Sequence, residues 1–197
     1  MRTWKRFEKL PRRYLRAYKH NTAAAPDFSE NLMPNGALIF QSGGVFPKLR
    51  FRRARMSNVC CEILAAFNAL TLTKTSVDFL KLAAEFEYGA AIPAIPPGVF
   101  GCDPFRIGRC FEAYGVSFAK YRSPNELEKA LTVGKISVVS YKFGRLDPRI
   151  HTFAVEKTAD GVAAYNRYSN VREPELLHSV RDTLSREKVF LAGYVLR

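Results

Sequence analysis

Two adjacent cysteines stand at the start of an apolar run, Ser57-Asn58-Val59-Cys60-Cys61-Glu62-Ile63-Leu64-Ala65-Ala66-Phe67-Asn68-Ala69-Leu70. A cysteine in the first turn of a helix meets free backbone N–H groups and the positive end of the helix dipole, which favour a thiolate nucleophile. Ser57 or Asn58 can cap such a helix, so Cys60 and Cys61 both fall in its first turn. Their side chains diverge by about 100°. Position therefore leaves open which of them reacts, or whether both fill a core.

A nucleophilic thiol needs an imidazole, and the imidazole needs a group to orient it. The chain has three histidines. His20 falls in a linker-like stretch and His178 in a polar one. His151 opens a β-rich segment, HTFAVEKT, that turns at Asp160-Gly161 into GVAAYNRYSN. A hairpin sets the start of one strand beside the end of the next, which brings His151 near Asn166. Cys102 and Cys110 lie eight apart with no CxxC or paired histidine, so no zinc site is expected. Gly43-Gly44 lacks the Lys-Ser/Thr of a phosphate loop, and no serine-hydrolase G-x-S-x-G occurs. The sequence calls for no metal or cofactor.

The order of cysteine at a helix start, histidine opening a strand and asparagine on the next strand resembles the papain-like cysteine peptidase superfamily. The short form is most similar to the bacterial double-glycine leader peptidases that trim bacteriocin precursors. The matching stretches are NVCCEILAAFNAL, HTFAVEK, GVAAYN and GVFGCDPFRIGRCFEAYG, spread over residues 56–197. The resemblance implies a Cys-His-Asn triad of Cys61, which precedes Glu-Ile as in those relatives, His151 and Asn166. Cys60 is then the second-choice nucleophile and stands where the relatives carry glycine. Their larger kin have an oxyanion glutamine about six residues before the cysteine. Arg55 occupies that position here, leaving Asn58 and the Cys61 N–H as candidate donors. The implied activity is hydrolysis of a peptide or amide bond in a peptide or protein substrate. An acyltransferase, or a degenerate peptidase-like binding domain, is the alternative. An acidic Cys61 thiol follows from the same reading.

The elements that must hold these residues are legible from periodicity. Helical patterns cover 3–19, 58–72, 76–87 (capped by Thr75 or Ser76), 104–114 (Asp103 cap, Pro104 at the first position, Gly115 at the end), 124–132 and 174–184. Strand patterns cover 37–41, 116–121, 136–143, 151–158, 162–168 and 189–196. Helices first and an antiparallel sheet afterwards is an α+β layout. The apolar, Pro/Gly-rich stretch 89–101 reads as a loop.

A hydrophobic content of 47% excludes a disordered chain, and no apolar run reaches the roughly 20 residues of a membrane span. No secretory signal is visible, so the cytoplasm, with reduced thiols, is the expected compartment. Residues 1–55 hold thirteen basic against three acidic residues, +10 of the chain's +13. They read as a basic extension to a domain at 56–197. The Trp4, Phe7, Leu10, Tyr14, Tyr18 stripe suits a protein partner or an anionic surface. Nucleic acid is not expected as the main partner, for no aromatic RNA-binding signature accompanies the charge.

Overall fold

A computed structural model describes residues 15–87, 102–144, 147, 149–184 and 188–197. The helices are α1 (Leu15–Ala23), the single turn α2 (Met56–Val59), α3 (Cys61–Leu72), α4 (Phe79–Glu85), α5 (Gly108–Ala113) and α6 (Pro124–Ala130). The strands are β1 (Arg50–Phe51), β2 (Ala54–Arg55), β3 (Phe118–Tyr121), β4 (Ile136–Lys142), β5 (Ile150–Lys157), β6 (Val162–Tyr165), β7 (Glu175–Leu177) and β8 (Val189–Leu196). β1 and β2 form a small ribbon; the other six form one sheet in the order β3-β8-β4-β5-β6-β7, antiparallel at every pairing. The architecture is α+β. Among the described residues no helix is long and apolar enough to cross a membrane.

Strand parity assigns the two faces of the sheet. Ile136, Val138, Ala192, Tyr194 and Leu196 turn one way and pack with Ile63, Leu64, Phe67 and Leu70 of α3. Val139, Tyr141, Phe153, Val155 and Val195 turn the other way, toward Leu127 of α6 and Leu131 just beyond it. The central strand β4 is thus covered on both faces, and its residues from Ile136 to Tyr141 are all buried. Where it carries serine on the α3 face, Ser140 bonds Thr152 across the ladder at 2.9 Å.

Several expectations change. The boundary at residue 55 is not a physical one. Leu38, Phe46, Leu49 and Phe51 belong to the same core cluster as α3. Asn68, fully buried in α3, donates to the Leu38 carbonyl and accepts from the Leu38 N–H, both at 2.7 Å. Asn21 of α1 makes the same two-way link to the backbone of Arg50, both bonds 2.8 Å. The reason is apolar surface: the preceding segment, together with α4 and α5, covers the face of α3 that the sheet leaves open. Residues 37–41 form no strand, only an isolated bridge between Leu32 and Leu38.

The predicted helix at 174–184 is instead the edge strand β7 followed by a 3-10 turn at Arg181–Thr183. Pro174 at its head lacks an N–H, which an edge position tolerates, and Leu177 turns inward while Leu176 stays exposed. α4 starts later than predicted because Asp78 caps it, accepting from Lys81 N–H at 3.0 Å. The 104–114 helix divides into a 3-10 turn at Pro104–Arg106, capped by Asp103 as expected, and α5. Gly108 lies at that division; a Cβ there would stand 2.5 Å from the Phe118 ring. Trp4, Phe7, Leu10, Tyr14 and the 89–101 stretch lie outside the described residues.

Candidate active site

Cys60 is the N-cap of α3 and Cys61 its first residue, so the 100° divergence acts here. Cys60 points into the core and has no exposure, which removes the second-choice nucleophile from solvent. Cys61 reaches the backbone at the start of β5. Its sulfur lies 3.9 Å from the Ile150 carbonyl and accepts from the Thr152 N–H. Its nearest partner is the Glu62 carboxyl, with Oε2 3.2 Å from Sγ. The thiol is 6% exposed. Burial first, and the Glu62 charge second, push its pKa well above the ordinary thiol range. The expected acidic thiol is therefore corrected: burial outweighs the field at the helix start.

His151 follows the parity of β5 and shares a face with Phe153. The two rings are stacked at 6.2 Å, and Tyr141 meets the imidazole edge-on at 5.8 Å. This face is the one opposite α3. The imidazole Nε2 lies 2.8 Å from the backbone carbonyl of Asn166. A carbonyl only accepts, so Nε2 carries the hydrogen and Nδ1 keeps its lone pair. Burial lowers the His151 pKa to about 4, against the pull of the Asn166 carbonyl and with the help of the Lys188 ammonium. The ring is neutral at pH 7.

Asn166 orients the ring through its main chain, not its side chain. The residue adopts φ 58°, a left-handed conformation that asparagine tolerates. That kink ends β6 and turns the carbonyl to the ring. The side chain turns instead to Gln41, donating to its Oε1 at 3.0 Å while accepting from the Gln41 N–H at 3.3 Å. Gln41 Nε2 in turn donates to the Ser57 carbonyl at 3.1 Å, in the turn that leads to Cys61. A hydrogen-bonded chain thus runs from α2 through Gln41 and Asn166 to His151.

The pairing of β5 with β6 stops at Ala154 and Tyr165, which leaves the 150–152 edge of β5 open. Cys61 comes to this edge from one side of the sheet and the His151 ring turns toward it from the other. The thiol and the ring share no hydrogen bond; each is held by other partners. The structure gathers the three expected residues at one break in the sheet without linking them as a relay. Asn58 is exposed, and its Oδ1 accepts from the Ser57 hydroxyl at 3.3 Å.

Three participants escaped the sequence reading. The resemblance places a glutamine about six residues before the cysteine, where Arg55 stands; Gln41, which the structure brings to Asn166, lies in the N-terminal segment, 125 residues from it. Its only signal is one amide after the apolar run Ala37-Leu38-Ile39-Phe40. Glu62 served only as a marker of resemblance, yet it is 1% exposed. Burial raises its carboxyl to about 7, although the Cys61 thiol and the Cys102 backbone both favour the ion. Lys188 sets its ammonium 4.4 Å from the centroid of the Tyr141 ring, beside the imidazole. All four cysteines are free, and among the described residues no group of three or more His, Cys, Asp or Glu side chains could hold a metal ion. No protein-family model and no curated protein matches this chain.

Proposed function

We propose that the protein is a cysteine hydrolase of the papain-like kind that cleaves a peptide or amide bond through an acyl-enzyme on Cys61. One observation carries the reading: the first residue of α3, the start of β5 and the end of β6 converge at a single break in the sheet, bringing Cys61, His151 and Asn166 together. In this reading the Cys61 sulfur attacks the carbonyl and the Cys61 N–H at the helix start stabilises the oxyanion. The departing amine takes the proton that the Cys61 thiol gives up, and His151 later activates water at Nδ1, the nitrogen its tautomer leaves open. The Asn166 carbonyl fixes that tautomer, and Gln41 holds the Asn166 loop against α2. An amine or thiol acceptor in place of water would make the same acyl-enzyme an acyltransferase intermediate.

A second reading, a peptidase-like domain that binds without turnover, draws on the buried and protonated state of the Cys61 thiol. The two readings part on p-nitrophenyl acetate, whose leaving group needs no specificity pocket. The hydrolase releases nitrophenolate faster than Cys61→Ala and forms an acetyl-Cys61 adduct. A binding domain gives no adduct at Cys61.

A further inference from the structure

A buried carboxyl group requires a reason, because removing it from water is costly unless it is paired. Among the described residues no basic side chain forms an ion pair or hydrogen bond with Glu62. Its surroundings are the thiols of Cys60 and Cys61 at the head of α3, and, from the segment before the 3-10 turn, the Cys102 backbone and thiol and the Asp103 carboxyl. Among the described residues, the titratable groups that act on it most are thiols and another acid, while the Arg52 guanidinium acts on the neighbouring Cys102 thiol. A glutamine or a leucine would fill this place at lower cost. The carboxyl also makes the Cys61 thiol harder to ionise by itself, so the two groups are coupled in their titration.

We infer that Glu62 is a catalytic residue, the group that takes the Cys61 proton. Oε2 is 3.2 Å from Sγ, so the transfer needs no movement of either side chain, whereas the His151 ring shares no hydrogen bond with the thiol. This deepens the hydrolase reading and rests on it. As the sulfur–carbon bond forms, the S–H electron pair becomes the attacking pair and the proton passes to Oε2. As the carbon–nitrogen bond breaks, its electrons leave with the nitrogen, and that same proton neutralises the departing amine. Glu62 then returns to the carboxylate. No other reactant is consumed before water resolves the thioester, which His151 governs. Glu62 and Cys61 behave as one dyad sharing a proton. Such a pair loses its first proton at a macroscopic pKa belonging to both groups. The carboxyl, raised to about 7, places that step near neutrality.

The test is the pH dependence of Cys61 alkylation by iodoacetamide, mapped by peptide mass, in the wild type, Glu62→Gln, Glu62→Asp and His151→Ala. The dyad predicts a wild-type rate that rises through pH about 7. In Glu62→Gln it predicts loss of that inflection and a rate at pH 8 reduced about tenfold, with reactivity recovered only at strongly alkaline pH. Glu62→Asp restores the inflection in part, and His151→Ala keeps it. An unchanged profile in Glu62→Gln overturns the inference and leaves the nucleophile assignment standing. Faster alkylation in Glu62→Gln also overturns it, because the carboxylate then only suppresses the thiolate. If Cys61 is never the labelled residue, the hydrolase reading fails and the inference with it. Should Glu62→Gln not fold, Cys61→Ser decides through the Glu62 carboxyl signal in carbon-13 NMR. The dyad requires its titration to shift; an unmoved titration overturns it.

Discussion

A single main-chain carbonyl changes what each site residue is worth. Where an asparagine side chain orients the imidazole, deleting that side chain frees the ring. Here the Asn166 carbonyl does so at 2.8 Å, and any residue that accepts φ 58° presents the same carbonyl. Asn166→Gly is therefore expected to keep hydrolysis of p-nitrophenyl acetate within about tenfold of wild type. Asn166→Ala adds about 1 kcal/mol of backbone strain and is expected to lower the melting temperature further. A loss of 10²-fold or more in the glycine variant would show that the amide side chain itself acts on the ring. The sequence order of Cys61, His151 and Asn166 was enough to expect their convergence. It was not enough to give side-chain directions, because parity sorts a strand into two faces without saying which face a helix covers.

At the scale of elements, α3 is held as much by hydrogen bonds as by apolar contact. Asn68 satisfies both backbone groups of Leu38 from inside the helix. Asn68→Leu strands that N–H and C=O in the core, each costing about 1–3 kcal/mol, so urea unfolding is expected to show roughly 2–5 kcal/mol less stability. A change below 1 kcal/mol would mean that the Leu38 segment relaxes to find other partners. Elements with a strict period or a clear cap were legible: β8 matches its expected range, the Asp160-Gly161 turn joins β5 to β6, and Ser123 stands before α6. β7 was not, because three residues are too few to set a period of two against the helical pattern of their neighbours. Gln41 was invisible for a related reason: its meaning comes from a partner 125 residues away.

For the whole molecule, the segment before residue 56 completes the core and the site together. Removing residues 1–55 deletes Leu38, Phe46, Leu49 and Phe51 from the cluster under α3 and takes Gln41 from Asn166. The shortened chain is expected to lose cooperative thermal unfolding; a sharp transition near the wild-type temperature would make the segment a true extension. Two buried groups set the pH response in opposite directions. His151 falls from 6.5 to about 4 on folding, so the unfolded state binds the extra proton and stability is lost as pH drops from 6.5 to 4. Glu62 rises from 4.5 to about 7, so the folded state binds the extra proton and stability is lost as pH climbs from 4.5 to 7. Each is worth about 3 kcal/mol in full. The two slopes cancel between pH 4.5 and 6.5, where stability from this pair is expected to be level. Glu62→Gln removes one slope, so its urea midpoint should fall steadily on acidification through that window; a level midpoint in the variant would contradict the burial of a neutral His151.

The central claim, that Cys61 forms the acyl-enzyme and His151 resolves it, is tested most directly by intact-mass and peptide mapping of protein exposed to p-nitrophenyl acetate. The account predicts one acetyl group on Cys61, transient in the wild type, accumulating in His151→Ala as water activation fails, and absent from Cys61→Ala. Acetylation confined to other residues, or an acetyl-Cys61 that clears equally fast with and without His151, would contradict it.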